Sequence, residues 1–332
     1  MLNISDLRVT IGPHTIVDIE NLSVASGTRL GIVGESGSGK TMTAMSIVGL
    51  LPDDATVSGS IRFQDRELVG LSDRRMAEIR GRDIGVVFQD PAKALNPMMR
   101  IGRQVAEAIR LHMDLPAAKV RDRVVELLTQ VHLPDAAGLL RRYPHQLSGG
   151  QQQRVLIAMA IACDPKLLIA DEPTTALDVT VQNGILDLLR ELSEARQMAL
   201  IFVSHDLGVI QAISDTVAVV YGGQLVEYGP TARVIARPRH RYTQALVSAN
   251  PGIAEDSQLA EVVNRRLEVI PGSVPALGAF PAGCRFRGRC AWEVEACSAD
   301  PVVSHDEADH FFKCWNPTAS VGGEKGELDV AR

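Results

Sequence analysis

The sequence lacks long apolar segments and an excess of positive charge, and each absence argues against one class of protein. Its longest apolar run, VLIAMAIAC from Val155, is nine residues, far short of the roughly 20 that a membrane-spanning helix needs. The beginning, MLNISDLRVT, has no basic flank followed by an apolar block, so no secretory signal is expected. A net charge of −6 argues against broad electrostatic binding to nucleic acid. The composition therefore predicts a globular protein that stays in the cytosol unless a partner tethers it to a membrane.

Cysteine is scarce except near the end of the chain. Of five cysteines, Cys284, Cys290, Cys297 and Cys314 follow one another with the spacing C-x5-C-x6-C-x16-C. In a reducing compartment such crowding indicates metal rather than disulfides. The close pairs of zinc sites and the C-x2-C-x2-C run of ferredoxins are both missing, so structural zinc, an iron–sulfur cluster and unliganded thiols stay open. Cys163, in IAMAIACDP, is expected to be buried at a helix end and not to be a ligand.

The hydrophobic pattern predicts an α/β protein. The apolar strand-like segments LGIVGE, IGVVFQD, KLLIAD and ALIFVSHD alternate with segments of helical period such as KTMTAMSIVGLL and VQNGILDLLRELSEAR. Strands separated by helices imply a parallel sheet covered on both faces. Residues 1–30 are predicted to form short strands, and residues 91–163 an inserted set of helices. The last residues, SVGGEKGELDVAR, are expected to be disordered.

The stretch GIVGESGSGKTMTA has the pattern of a phosphate-binding loop, with a strand before it and a helix after it. Its glycines let successive backbone N–H groups point at phosphate oxygens, helped by the positive end of the helix. Lys40 is expected to reach the β- and γ-phosphates, and the Thr41 hydroxyl to bind Mg²⁺. A functionless glycine-rich turn is the alternative, and pattern and context together argue against it. The residues expected at the phosphates are Gly34, Ser36, Gly37, Ser38, Gly39, Lys40 and Thr41.

Polar side chains at three other strand ends could complete a nucleotide site. Asp171 and Glu172 end the run LLIADE; Asp171 suits Mg²⁺ coordination, and Glu172 suits a base that orients the attacking water. His205 follows ALIFVS and is expected to hydrogen-bond the γ-phosphate, although an isolated His at a strand end is more often structural. Gln89, after GVVF, could contact Mg²⁺ or the water. Each signal is weak alone and gains weight from the phosphate-binding loop.

The stretch LSGGQQQR at 147–154 predicts a second anion site. Ser148, Gly149 and Gly150 precede a helix expected from about Gln151, so their amides and the hydroxyl can bind an anion. The simpler interpretation is a helix N-cap, with Ser148 as the cap and Gln151 as the third residue after it. Both interpretations can hold together.

These motifs, in this order, resemble the ATP-binding subunits of ABC transporters: GESGSGKT, FQD, LSGGQQQ, LLIADE, TALD at 175–178 and SHD. The resemblance covers roughly residues 1–250. It implies a P-loop NTPase core with a parallel RecA-like subdomain, an N-terminal antiparallel β subdomain and a helical subdomain at about 91–163.

The same resemblance implies a head-to-tail dimer in which each ATP lies between one subunit's phosphate loop and the other's signature motif. The signature residues Ser148, Gly149, Gly150 and Gln151 would then bind the partner's ATP, and Asp178 would couple the two sites. One feature departs from the family pattern. The aromatic residue that stacks on adenine is missing from VTIGPHTIV, which offers Ile11 and His14 instead. We therefore expect adenine packing that is weaker or rests on an aliphatic surface, and no strict preference for ATP over GTP.

Longer segments narrow the resemblance to one subfamily. FQDPAKALNPMMRIGRQVAE, and the region around LSGGQQQ and LLIADE, are similar to ATPases that power dipeptide and oligopeptide importers, with nickel importers as close relatives. RPRHRYTQALVSANPG and IPGSVPALGAFPAGCRFRGRCAWEVEAC are similar to that subfamily's C-terminal extension. A small Cys-rich extension is thus expected at 251–317, followed by the tail at 318–332. The resemblance favours a [4Fe–4S] cluster on the four cysteines, with zinc as the alternative.

The resemblance implies an ATPase, working with ATP and Mg²⁺, that energises an importer of dipeptides or oligopeptides from the cytoplasmic face of the inner membrane. The implied partners are a second, homologous ATPase subunit, two transmembrane permease subunits and an extracytoplasmic substrate-binding protein, with no nucleic acid. The alternatives are a nickel importer ATPase, a soluble ABC ATPase acting on DNA or ribosomes, and a small-molecule kinase. The acidic charge balance and the extension argue against the soluble ATPase, and LSGGQ argues against the kinase.

Overall fold

A computed structural model of the protein describes residues 1–175, 177–250, 269–307 and 309–319. The predicted disordered tail, 318–332, lies outside the described residues except for its first two positions. The same holds for the first 18 residues of the predicted extension, 251–268.

The described strands form a single mixed sheet with the order β5-β4-β1-β2-β10-β9-β3-β8-β7-β6, and β12 joins it at β10. The strand bounds are β1 Leu2–Ile11, β2 His14–Val24, β3 Arg29–Val33, β4 Ala55–Phe63, β5 Arg66–Glu67, β6 Ile84–Val87, β7 Leu167–Asp171, β8 Ala199–Ser204, β9 Thr216–Tyr221, β10 Gln224–Pro230, β11 Ser304–Glu307 and β12 His310–Phe312.

Strands β9, β3, β8, β7 and β6 pair in parallel, as the alternation of strands and helices predicts. Strands β1, β2 and β4 pair antiparallel. Strand β10 connects the two parts, since it pairs with β9 on one side and with β2 on the other. The sequence pattern does not predict that both parts belong to one sheet.

Both faces of the parallel part are covered, because successive residues of one strand enter different cores. In β7, Leu168 and Ala170 lie in one core, whereas Leu167 and Ile169 lie in the other. All five residues of β7 are buried. A strand buried on both faces needs an uninterrupted apolar run, and LLIAD supplies one.

The helices of the described residues lie between these strands. Their bounds are α1 Lys40–Ile47, α2 Asp73–Ala77, α3 Pro91–Ala94, α4 Ile101–His112, α5 Ala117–Gln130, α6 Ala136–Leu139, α7 Gly149–Ala160, α8 Val179–Arg196, α9 Leu207–Ile213, α10 Thr231–Ala236 and α11 Arg241–Ser248.

The segment predicted to be an inserted set of helices contains α3 to α7. Its helices form because apolar residues recur at helical spacing, as with Ile101, Val105 and Ile109 of α4, all of which are buried. The exposed face of α4 carries charged residues such as Arg110. Among the helices of the described ranges, none combines the length and the apolar character needed to cross a membrane.

The β11–β12 hairpin is attached to the sheet through a buried carboxylate. Glu227 of β10 is fully buried and pairs in register with Phe312 of β12. Its Oε1 accepts a hydrogen bond from the Arg239 backbone N–H at 2.7 Å, and its Oε2 accepts one from the His240 N–H at 2.8 Å. The ring Nε2 of His310 lies 2.8 Å from Oε1. These contacts satisfy the carboxylate and join the last described strands to the rest of the fold.

Candidate active site

The phosphate-binding loop lies between β3 and α1, and its curvature requires glycine. Gly39 adopts φ +98°, and a Cβ atom there would lie 3.0 Å from the backbone oxygen of Ile16, so a larger residue would be strained. Lys40 follows directly, with its side chain inside the curl of the loop. Its Nζ donates hydrogen bonds to the backbone oxygens of Gly34 at 2.8 Å and Glu35 at 2.9 Å.

Burial sets the electrostatics at the loop. It lowers the pKa of Lys40, while the carboxylates of Glu172, Asp171 and Glu35 oppose that shift. The ammonium group is held by two backbone carbonyl oxygens and makes no direct ion pair with a carboxylate of the described residues. Such a group is suited to bind an added anion such as phosphate.

Asp171, at the end of β7, lies beside the first residues of α1. Its Oδ1 accepts a hydrogen bond from the Thr41 hydroxyl at 3.1 Å. The Asp171 side chain is buried, and burial raises its pKa, an effect that the Thr41 hydrogen bond partly offsets. A hydroxyl and a carboxylate at this distance are two oxygen ligands of the kind that Mg²⁺ prefers. The donor set therefore fits a magnesium ion.

Three side chains converge on one oxygen of Glu172. Gln89 donates from Nε2 to Glu172 Oε2 at 3.0 Å, and the Thr175 hydroxyl donates to the same oxygen at 3.0 Å. His205 Nδ1 lies 3.4 Å from it. Glu172 itself adopts φ +46°, an unusual conformation for a residue with a side chain. Strained backbone of this kind is concentrated at functional sites.

Part of this site lines a cleft of 570 Å³, a size that suits a ligand such as a nucleotide. Its polar lining includes the loop residues Ser36 to Thr41, with Gln89 and Glu172. The Ser38 hydroxyl is buried and has no hydrogen-bond partner in the described parts of the chain. The cleft is also lined by aliphatic residues: Ile11, Ile16, Val274, Pro275, Ala276 and Leu277.

The LSGGQ residues lie elsewhere on the surface. Ser148 caps α7 by a capping box, since its hydroxyl accepts from the Gln151 N–H at 3.3 Å and Gln151 Oε1 accepts from the Ser148 N–H at 3.0 Å. The predicted cap is thus confirmed. Ser148 and Gly149 are exposed, and none of residues 148–151 is among the described residues that line the cleft. Asp178 is also exposed and caps α8 by accepting from the Val181 N–H at 2.9 Å.

The four tail cysteines lie near one another, with the Cys284 N–H donating to the Cys297 backbone oxygen at 3.1 Å. Burial raises the pKa of Cys284 to about 11 and also raises the pKa values of Cys290 and Cys314. Across the described ranges, however, no three His, Cys, Asp or Glu side chains are arranged to hold a metal ion. The side chains as placed do not fit a [4Fe–4S] cluster or zinc, and we derive no chemistry from either.

Cys163 differs from its prediction in one respect. It is half-buried rather than buried, and its Sγ lies 3.6 Å from the backbone oxygen of Ala108. It follows the end of α7 at Ala160, where the turn leaves one side of the residue open to solvent.

Several residues at the site carry no signal in the sequence. Tyr242 of α11 accepts a hydrogen bond on its hydroxyl from the Glu35 N–H at 2.8 Å. Arg289 donates to both carboxylate oxygens of Glu35, at 2.7 and 2.9 Å. These contacts join residues more than 200 positions apart, and only the tertiary fold brings them together.

The fold and the site define an ATP-binding cassette: a mixed sheet with a phosphate-binding loop at the end of β3 and acidic residues at the end of β7. Two family matches agree with this class. Residues 17–175 match the ABC transporter family, and residues 226–297 match the oligopeptide/dipeptide transporter C-terminal region. The chain belongs to the family of ABC transporter ATP-binding proteins that carries this C-terminal region.

Individual relatives are similar over nearly the whole chain. The oligopeptide transport ATP-binding protein OppD of Salmonella typhimurium is 42% identical over 325 residues, 97% of this chain and 95% of OppD. The dipeptide transport ATP-binding protein DppD of Escherichia coli is 42% identical over 328 residues, 97% of this chain and 98% of DppD. A solved dimer of the ATP-binding cassette MJ0796 bound to ADP and Pi has a TM-score of 0.62 and 28% identity, covering 70% of this chain and 99% of MJ0796.

Proposed function

We propose that this chain is the ATP-hydrolysing subunit that energises a membrane importer of dipeptides or oligopeptides. The observation that carries the proposal is the cleft lined by the phosphate-binding loop and Glu172, with Asp171 hydrogen-bonded to Thr41 of that loop. The relatives named for peptide transport supply the class of cargo. The cargo itself would be selected by other components of the importer.

In this proposal the phosphate chain of ATP lies along the loop from Ser36 to Thr41. Lys40 stabilises its negative charge, and the backbone N–H groups at the start of α1 point at its oxygens. Thr41, Asp171 and Gln89 would hold Mg²⁺, which would supply neutralising charge between the phosphates. Ser38, whose buried hydroxyl has no partner in the described residues, would hydrogen-bond a phosphate oxygen.

Glu172 would orient the attacking water and accept its proton. The contacts from Gln89, Thr175 and His205 all fall on Oε2. They fix the carboxylate plane and leave Oε1 to face the water. His205, with a half-exposed side chain, would also hydrogen-bond the γ-phosphate.

The signature residues Ser148, Gly149, Gly150 and Gln151 would complete the site of a partner subunit. Ser148 and Gly149 are exposed and none of the four residues lines the chain's own cleft, which supports a role at an interface with a partner. The partner would be a second, homologous ATPase subunit in a head-to-tail dimer, with Asp178 coupling the two sites. The pair would sit at the cytoplasmic face of the inner membrane on two permease subunits, with a substrate-binding protein on the other side.

The domain boundaries and the metal content remain predictions from the sequence. We propose an ATP-binding domain at 1–250, with its helical subdomain at about 91–163, and an extension at 251–317. Iron, sulfide and zinc analysis of anaerobically purified protein tests the sequence prediction of a cluster on the four cysteines, which the placed side chains do not support. Stoichiometric zinc without iron would overturn the iron–sulfur assignment.

The proposed function is tested by Glu172→Gln. The amide cannot accept a proton from water, so we expect ATP hydrolysis by the membrane complex to fall by about 10²–10⁴-fold while ATP·Mg binding is retained. Glu191→Gln, a change at an exposed carboxylate of α8, is the matched control and should hydrolyse ATP normally. Fast hydrolysis by the Glu172 variant would remove this residue from the base role. Failure of the wild-type protein to bind ATP would refute the proposal as a whole.

A further inference from the structure

The C-terminal extension, of which residues 269–307 and 309–317 are described, forms part of the wall of the nucleotide cleft. Residues 274–277 line the cleft together with residues of the phosphate-binding loop. The Leu277 side chain is 50% exposed, so it is accessible to a ligand in the cleft. The same cleft is lined by Ile11 and Ile16, in the stretch where the sequence lacks an aromatic residue. An exposed aliphatic wall of this kind suits the flat apolar face of a nucleotide base.

Packing fixes this wall to the core of the cassette. A Cβ atom on Gly278, which adopts φ +81°, would lie 2.5 Å from the ring of His14, so the backbone there packs directly on that ring. The Phe280 ring packs edge-on against Tyr221, with centroids 6.2 Å apart. Arg285 stacks on Phe280 and donates to the backbone oxygen of Gly222. The wall is therefore held by contacts with His14, Tyr221 and Gly222.

Arg289 joins the wall to the phosphate-binding loop. Its guanidinium donates to both carboxylate oxygens of Glu35, at 2.7 and 2.9 Å, and its side chain is only 7% exposed. The same guanidinium donates to the backbone oxygens of Pro271 at 2.7 Å and Gly272 at 3.3 Å, directly before the wall. Two parallel bonds to a carboxylate fix direction as well as distance. One buried side chain thus sets the position of the wall and of the loop together.

Glu35 passes this constraint to the lysine of the loop. Its backbone oxygen accepts a hydrogen bond from Lys40 Nζ at 2.9 Å. Its backbone N–H donates to the Tyr242 hydroxyl at 2.8 Å. Movement of Glu35 would therefore move an acceptor of the ammonium group expected to bind the phosphates.

We propose that the C-terminal extension is part of the nucleotide site, in two ways. Leu277 and its neighbours contact the base, and Arg289 is a positioning residue that holds the phosphate-binding loop through Glu35. The inference rests on the proposed function, because it assigns both segments to the same bound nucleotide. An aliphatic wall offers no hydrogen-bond partners to a base, so it discriminates little between purines.

The base contact is tested on the full-length protein by calorimetric titration with ATP·Mg, GTP·Mg and inorganic tripolyphosphate, which has no base. We expect Leu277→Ser to weaken ATP and GTP binding about five-fold and to leave tripolyphosphate binding unchanged. Val302→Ser is the matched control, since Val302 is an exposed aliphatic residue of the extension outside the cleft. The wild-type affinities for ATP and GTP should agree within about ten-fold.

The positioning role is tested by Arg289→Lys and Arg289→Ala. Both variants should weaken the binding of tripolyphosphate as well as of ATP. The loss of affinity should be smaller for Arg289→Lys than for Arg289→Ala, because lysine keeps the positive charge but cannot make two parallel hydrogen bonds to Glu35. Circular dichroism establishes whether each variant is folded. Leu277 lies on an exposed segment, so its variant tests the base contact even where the Arg289 variants do not fold.

The outcomes distinguish failure of the proposed function from failure of the role proposed for the extension. If the wild-type protein fails to bind ATP, the proposed function is wrong. If the wild type binds ATP and Leu277→Ser binds it as tightly as Val302→Ser does, the base contact is overturned. If folded Arg289 variants bind tripolyphosphate like the wild type, the positioning role is overturned.

Discussion

Gly150, in the signature motif, offers the sharpest test of the packing described here. A Cβ atom at Gly150 would lie 2.6 Å from Val181 Cγ1, closer than carbon atoms approach without displacement. At Gly149 the nearest neighbour would be Leu177 Cδ2 at 3.8 Å, an ordinary contact. The two glycines occupy consecutive positions at the start of α7, directly after the Ser148 cap. They form a matched pair that differs mainly in the space around the missing side chain.

The expected free energies follow from two opposing effects. Replacing glycine by alanine in a helix stabilises a protein by about 0.5–1 kcal/mol, because the unfolded backbone is less flexible. Forcing a methyl group into occupied space costs about 1–3 kcal/mol. We therefore expect Gly149→Ala to gain about 0.5–1 kcal/mol and Gly150→Ala to lose about 1 kcal/mol net. The two variants should differ by about 1–3 kcal/mol.

The measurement is urea unfolding of the full-length protein, followed by circular dichroism. Val181→Ala removes the methyl groups that would collide, so the double variant Gly150→Ala/Val181→Ala should be more stable than the two single effects predict. A double-mutant cycle isolates that coupling, which should be about 1–3 kcal/mol. Equal stability of the Gly149 and Gly150 variants, together with no coupling to Val181, would refute the packing of the signature motif on α8.

Three further predictions concern burial, capping and charge. Burial lowers the pKa of His240 to about 3, so its imidazole stays neutral in the folded protein and takes up a proton near pH 6.5 in the unfolded chain. The free energy of unfolding should therefore fall as the pH drops below the pKa of the unfolded imidazole, by about 1.4 kcal/mol at pH 5.5. His240→Asn should remove this pH dependence, and an unchanged pH dependence in that variant would contradict the role of His240. Asp178→Ala should lower the free energy of unfolding in urea by about 1 kcal/mol, because the α8 cap is lost. Asp178→Asn should keep most of that stability, since asparagine also caps helices. Equal losses of stability in the two variants would argue against capping. Lys40→Ala should weaken ATP·Mg binding by about ten-fold or more in calorimetry. Lys166→Ala, a change at an exposed lysine, should leave the affinity unchanged. Equal affinities of the two variants for ATP·Mg would contradict the role of Lys40.

The helices and strands that contribute to the site follow from short stretches of sequence. The run LLIAD forms a fully buried strand, and IGRQVAEAIRLH forms α4 from its first residue to its last. The Ser148 cap is likewise a local feature, since it joins residues three positions apart. Such elements are predictable because the apolar pattern or the capping residues that mark them lie within one short stretch of sequence.

The convergence at Glu172 is predictable only in part. Gln89 and His205 each follow a strand of the parallel sheet. Because parallel strands end at one edge of a sheet, both side chains could be expected to lie close to Glu172. Thr175 belongs to the TALD stretch at 175–178, but its hydrogen bond to Glu172 was not expected from the sequence.

By itself, the sequence determined the phosphate-binding loop, the strand ends that carry its acidic partners and the caps of α7 and α8, since each depends on neighbours along the chain. Only the tertiary structure decided what completes the cleft. Arg289 contacts Glu35 across 254 positions, and Leu277 lines the same cleft as Ile11 although nothing in either segment indicates the other. Contacts of that range depend on how β9, β10 and the extension pack together, and no periodicity or motif encodes that packing locally.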